Sequence, residues 1–119
     1  MSRSAPRAWL AVALAGWLLG GPSGSAQAAG DAAGPAVHRV VIDRFAFEPQ
    51  RLELRPGDIV EWINRDLAPH TASAESGDWD SGELSRGGVF RQRFSAEGTA
   101  LYFCAFHPHM RGEITVAAP

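Results

Sequence analysis

From Val37 to the C-terminus no window of the sequence sustains a helical period. Apolar residues instead recur in short strand-like runs, each closed by proline, glycine or aspartate. Val37 to Ile42 is rich in β-branched residues, and Phe45 to Leu54 alternates apolar with polar around Pro49. Arg55-Pro56-Gly57-Asp58 is a tight-turn signature, followed by a strand from Ile59 to Ile63 with Val60 and Trp62 on one face. Period-two alternation returns in Val89 to Phe94, in Leu101 to Cys104 beyond the turn residues Ala96-Glu97-Gly98, and in Gly112 to Val116. So many short strands in about 80 residues imply an antiparallel β-sandwich or a small barrel. Phe47, Trp62, Phe94 and Tyr102 fall on alternating positions and are expected in its core. Glu75 to Gly88 is the one long irregular stretch; its Trp79-Asp80-Ser81-Gly82 either covers an end of the sandwich or is an ordinary surface connection.

Ahead of the strands, Met1 to Ala28 reads as an export signal. Arg3 and Arg7 give a basic start, Ala8 to Leu19 is apolar, and Ala26-Gln27-Ala28 is a small-residue cleavage site. The apolar stretch is shorter than the roughly 20 residues that span a bilayer, so an uncleaved anchor is the lesser reading. Residues 29–36 are expected to be a flexible linker and 37–119 the folded domain. The mature chain would be Ala29 to Pro119, 91 residues, a single small domain that bound metal could usefully stabilise. Its nine Arg face thirteen acidic residues, a net charge of −4 that argues against general nucleic-acid binding. Without a spanning segment after cleavage, the protein is expected to be soluble, periplasmic and monomeric.

Cys104 is the single cysteine, so it cannot form an internal disulfide in an oxidising compartment. Its surroundings supply another use for it. Cys104, His107 and Met110 stand at i, i+3 and i+6 of one short loop, and Pro69-His70-Thr71 adds a second imidazole after a strand-like run. Two His, one Cys and one Met are the ligand set of a blue-copper electron-transfer centre. If the loop joins the strands before and after it, its three donors converge, and His70 approaches from the facing sheet. The Cys104 thiolate would carry the strongest bond, with His70 and His107 completing a trigonal set and Met110 a weak axial ligand. The Thr71 N–H is the candidate hydrogen-bond donor to the sulfur. With every position filled by protein, no site remains for a substrate, which favours electron transfer over catalysis.

Other uses of these residues stay open. Copper storage or delivery needs the same donors. A Cys104 nucleophile with His70 or His107 as base leaves Met110 without a role. A zinc site of Cys104, His70, His107 and His109 is chemically possible but makes less specific use of the spacing. His38 has no such context and is expected to face solvent, as is His109. The carboxylates Glu75, Asp78, Asp80 and Glu83 are assigned no role.

The motifs Phe45-x-Phe47-x-Pro49, then Pro56-Gly57-Asp58-x-Val60-x-Trp62-x-Asn64-x-Asp66-x-x-Pro69-His70-Thr71, then Cys104-x-x-His107-x-x-Met110-Arg111-Gly112 cover nearly the whole mature chain. In order and spacing the chain resembles the cupredoxins, and within them the small blue copper proteins of the amicyanin and pseudoazurin type. The resemblance implies a Greek-key antiparallel β-sandwich and one copper ion cycling between Cu(II) and Cu(I). It implies ligands at His70, Cys104, His107 and Met110, with Asn64 and Thr71 supporting them from behind. Amicyanin exchanges electrons with methylamine dehydrogenase and a c-type cytochrome, so the implied partners are a redox donor and acceptor: a dehydrogenase, an oxidase or a c-type cytochrome. Ala68, Pro69, Phe106, Pro108 and His109 would surround His107 as a small docking patch, suited to brief encounters. Amicyanin has proline where this chain has Phe106 and phenylalanine where it has His109, changes that leave every ligand in place.

Overall fold

The computed structural model describes residues 34–119, together with Gly16 and Gly20. The expected signal, residues 1–28, apart from Gly16 and Gly20, and most of the linker, residues 29–36, lie outside the described residues. Among the described residues no helix is long and apolar enough to cross a membrane. Ala36, assigned to the linker, is tied down: its N–H donates to Asp58 Oδ1 at 3.0 Å and its carbonyl accepts the Ile59 N–H at 2.9 Å.

Eight strands follow: β1 Val37–Asp43, β2 Ala46–Glu48, β3 Arg51–Leu54, β4 Asp58–Asn64, β5 Ser73–Ala74, β6 Val89–Phe94, β7 Gly98–Phe103 and β8 Arg111–Val116. They form two four-stranded sheets, ordered β2-β1-β4-β6 and β3-β8-β7-β5. The all-β sandwich is as expected, but each sheet contains one parallel pair, β1 with β4 and β3 with β8. The cause is the crossing of the chain from β2 to β3 in the facing sheet and back to β4. Each crossing removes the hairpin that would have made neighbours antiparallel.

The inward faces close the core. Val40 and Ile42 of β1, Val60 and Trp62 of β4, Phe94 of β6, Tyr102 of β7, and Ile114 and Val116 of β8 are buried, as are Phe47 and Leu54. The four aromatic residues expected in the core are all there. Trp79 joins them, 5.2 Å from the Trp62 ring and 5.5 Å from Phe94, so the irregular stretch does cover the sandwich. Bridges from His70 to Leu84 and from Ser73 to Asp80 hold that stretch to the fold. On the outer face the register places Arg39, Glu61 and Arg91 side by side across β1, β4 and β6. Both guanidinium groups close on the Glu61 carboxylate and cover it, which is how an acidic residue comes to be buried in a central strand.

Two expectations are corrected. His38 does not simply face solvent: its Nε2 lies 3.0 Å from Asp58 Oδ2, since the parallel register of β1 on β4 brings the two strand starts together. Phe45 is not the first residue of a strand. With Arg44 it forms the two-residue loop between β1 and β2, where Asp43 pairs with Ala46, and both residues have left-handed φ, 53° and 58°. Such loops normally use asparagine and glycine. Here the Asp66 carboxylate, 21 and 22 positions on, accepts both N–H groups and holds the strained turn in place.

Candidate metal centre

One end of the sandwich gathers the loop after β4, the β1–β2 turn and the loop between β7 and β8. In the last of these, His107 N–H donates to the Cys104 carbonyl at 3.2 Å and Met110 N–H to the His107 carbonyl at 2.8 Å. Each of these bonds closes a four-residue turn, so the loop doubles back twice between residues 104 and 110. Cys104 N–H then donates to the Met110 carbonyl at 3.0 Å, closing the loop where the β7–β8 ladder ends.

The second histidine comes from the other sheet. Asn64 at the end of β4 is fully buried, and its amide donates to the carbonyls of Ala68 and Leu84 while its oxygen accepts the Asp66 N–H. That bracket curls residues 65–69 and delivers His70, whose N–H and carbonyl pair with Leu84. The His70 ring is fully buried. Its Nδ1 lies 3.6 Å from Cys104 Sγ and its Nε2 lies 2.8 Å from Asp66 Oδ2. Burial would by itself raise the Asp66 carboxyl, but the N–H bonds from Phe45 and Arg44 and the contact with His70 outweigh it and hold the group below its usual range.

Thr71 links the two loops. Its N–H points to Cys104 Sγ at 3.4 Å, and its hydroxyl accepts the Ala105 N–H at 2.8 Å and bonds Ser73 Oγ at 2.9 Å. Cys104 is fully buried, and the Met110 side chain is buried in the same apolar cluster.

His107 stands beside this pair. Its ring is half-buried, 5.3 Å from that of His70, and Phe45 meets both rings edge-on at 5.1 Å and 5.0 Å. Among the described residues no three side chains drawn from His, Cys, Asp and Glu already stand gathered as a metal-holding group. The geometry is thus a close Cys104–His70 pair with His107 packed alongside against Phe45. His109 is exposed, its ring 6.2 Å from that of His107. Around them Pro69, Pro108 and the half-exposed Phe106 are open to solvent, and Ala68 is partly so. The rim also contains Leu67, 83% exposed, and the turn residue Phe45.

The donor set fits copper. Two donors bound to one ion at about 2.0 and 2.3 Å in a tetrahedral arrangement lie roughly 3.5 Å apart, close to the 3.6 Å between Nδ1 and Sγ here. A buried sulfur, imidazole nitrogen and a thioether are the soft and borderline donors that copper accepts.

Comparison with known proteins decides the family. A sequence model described as copper binding proteins of the plastocyanin/azurin family matches residues 36–117. The chain belongs to this family. Amicyanin from Paracoccus denitrificans is 34% identical over 80% of this chain and 76% of the relative. Among solved structures, an oxidised single-substitution variant of amicyanin superposes with a TM-score of 0.64 at 28% identity, covering 67% of this chain and 81% of that one. A copper-containing nitrite reductase from Thermus scotoductus gives 0.67 at 27% identity over 73% of this chain, but only 24% of the reductase is covered. This cupredoxin therefore shares its sandwich both with a small protein of similar length and with one part of a much larger chain.

The sequence singled out His70, Thr71, Asn64 and Cys104, and the fold brings them together. It did not single out Asp66 or Phe45 as parts of the centre, although both stand within the motifs that carry the family resemblance. The separation of Asp66 from His70 by four positions was the available signal. For Phe45 there was none beyond its place before Phe47.

Proposed function

We propose that this cupredoxin is an exported, periplasmic carrier of single electrons, holding one copper ion through His70, Cys104, His107 and Met110. The contact of Cys104 Sγ with His70 Nδ1, buried and bonded from behind on both sides, carries the reading. Bound copper supplies a reversible one-electron couple between Cu(II) and Cu(I). The protein's part is to keep its donors still as the charge changes, because movement of ligands would raise the barrier to transfer. Asn64, Leu84 and Asp66 fix the backbone and ring of His70, and Thr71 ties the Cys104 loop to it. Cys104 and His70 are both fully buried, which keeps bulk water away from the pair.

Electrons would enter and leave at His107, the less buried histidine, through a rim of Leu67, Pro69, Phe106 and Pro108. An apolar rim of a few side chains suits a partner that docks briefly and departs. A dehydrogenase, an oxidase or a c-type cytochrome would serve as donor or acceptor.

Loading the purified protein with Cu(II) tests the assignment. An intense blue or green colour from thiolate-to-copper charge transfer is expected at one copper per chain, and Cys104→Ser is expected to abolish it. A colourless wild-type copper complex would overturn the proposal. Retention of the metal through repeated reduction and oxidation separates a carrier from a copper-delivery protein, which would surrender Cu(I) readily.

A further inference from the structure

The carboxylate behind His70 has a role of its own, which rests on the ligand assignment above. The Asp66 side chain is 12% exposed and meets three nitrogens. Oδ1 accepts the Arg44 N–H at 2.8 Å, Oδ2 accepts the Phe45 N–H at 2.9 Å, and Oδ2 also lies 2.8 Å from His70 Nε2. Backbone N–H groups can only donate, so both oxygens are engaged as acceptors and the carboxylate is held in its ionised form. The remaining contact is satisfied when Nε2 carries a proton and donates it to Oδ2. With the Nε2 proton on that side, the nitrogen left to bind a metal is Nδ1, the atom that faces Cys104 Sγ.

We infer that Asp66 is a positioning residue that sets the tautomer of His70 and, through its negative charge, favours Cu(II) over Cu(I) at the centre. A carboxylate accepting the far N–H of a ligand imidazole makes that imidazole a stronger donor. A charge this well withdrawn from solvent is weakly screened, and it stabilises a doubly charged ion more than a singly charged one. The same oxygens hold the β1–β2 turn in its left-handed conformation, so Phe45 is set against both histidines by the group that orients one of them. Asp66 thus joins the β1–β2 turn to the loop that carries His70 without itself being a proposed ligand.

Two measurements test this. Nitrogen-15 NMR of the metal-free protein reads the tautomer directly: a protonated Nε2 and a bare Nδ1 on His70 are expected, and a proton on Nδ1 would overturn the inference. Copper-loaded Asp66→Asn, which keeps the size and an acceptor oxygen but removes the charge, should retain its charge-transfer colour. Its preference for Cu(I) over Cu(II) should rise about tenfold relative to wild type, the scale on which such outer partners act, which is about 59 mV upward for one electron. A coloured variant with an unchanged potential would sink the role in tuning. If the variant does not fold, the tautomer measurement on wild-type protein still decides. A colourless wild-type protein would be failure of the copper assignment instead, and the metal-free tautomer would remain a valid reading of Asp66.

Discussion

Thr71 and Cys104, one on each loop of the centre, are joined at two levels: the Thr71 N–H points to the cysteine sulfur at 3.4 Å, and the Thr71 hydroxyl accepts the N–H of the next residue, Ala105, at 2.8 Å. The two halves of the site are therefore locked by the protein itself. A centre that must change charge without changing shape needs such cross-links.

Thr71→Val removes the hydroxyl while preserving volume and the N–H that reaches the sulfur. The Ala105 N–H and Ser73 Oγ lose their partner, and the metal-free protein should lose about 1–3 kcal/mol of stability. Urea unfolding measures this. The copper colour should persist, which separates the clamp between loops from the bond to sulfur.

Gly112→Ala should be severely destabilising. A Cβ there would lie 2.1 Å from Cζ of the buried Tyr102 ring, directly across the β7–β8 pair. Overpacking of this kind costs about 1–3 kcal/mol or more, because the ring is walled in by Phe47, Trp62 and Trp79. Thermal unfolding of the metal-free variant against wild type provides the measurement.

Acid should weaken the fold through Asp58 among other groups. Burial by itself would raise this carboxyl, but hydrogen bonds from the Arg55 N–H, His38 and the Ala36 N–H outweigh it and hold the group below its ordinary 3.8. A lowered folded value means that the unfolded chain binds the proton more readily. Stability from Asp58 is therefore complete above the ordinary value and is lost as pH falls below it through the folded value. Asp58→Asn should be less stable near neutrality and show a shallower loss of stability below about pH 4, as read by denaturant titration of the metal-free protein across pH.

Phe106→Glu places a charge in the apolar rim without touching a proposed ligand. The bimolecular rate with the natural partner should fall about tenfold, equivalent to about 1.4 kcal/mol of encounter free energy, while the potential stays near that of wild type. Stopped-flow kinetics across a range of ionic strength distinguishes a lost apolar contact from altered electrostatic steering, since only the second is strongly screened by salt.

Most of the framework is legible along the chain. Val89 to Phe94 is a strand with the expected bounds, and Val60 and Trp62 share the buried face that their alternation implies. Period-two patterning is a local signal and survives into the fold because each strand buries one face. The two-residue strand Ser73–Ala74 is too short to show a period. Trp79 sits in a segment with no pattern at all, and its place against Trp62 depends on contacts far away in sequence.

By itself, the sequence determined the chemistry available: a single cysteine, histidines at 70 and 107 and a methionine at 110, at spacings that one loop and one strand end can present, within a chain of short strands. Only the tertiary structure decided how those groups are held. It turned Nδ1 of His70 toward the sulfur by placing Asp66 behind Nε2, set Phe45 in a strained turn against both rings, and made each sheet mixed by passing the chain back and forth between layers. The reason is range. Donor identity and strand period are properties of neighbouring residues, whereas the bonds that Asp66 accepts from Arg44 and Phe45, and those linking Thr71 to Cys104 and Ala105, span 21 to 34 positions and arise only when segments distant in sequence are brought side by side, within one sheet for Asp66 and between the two site loops for Thr71.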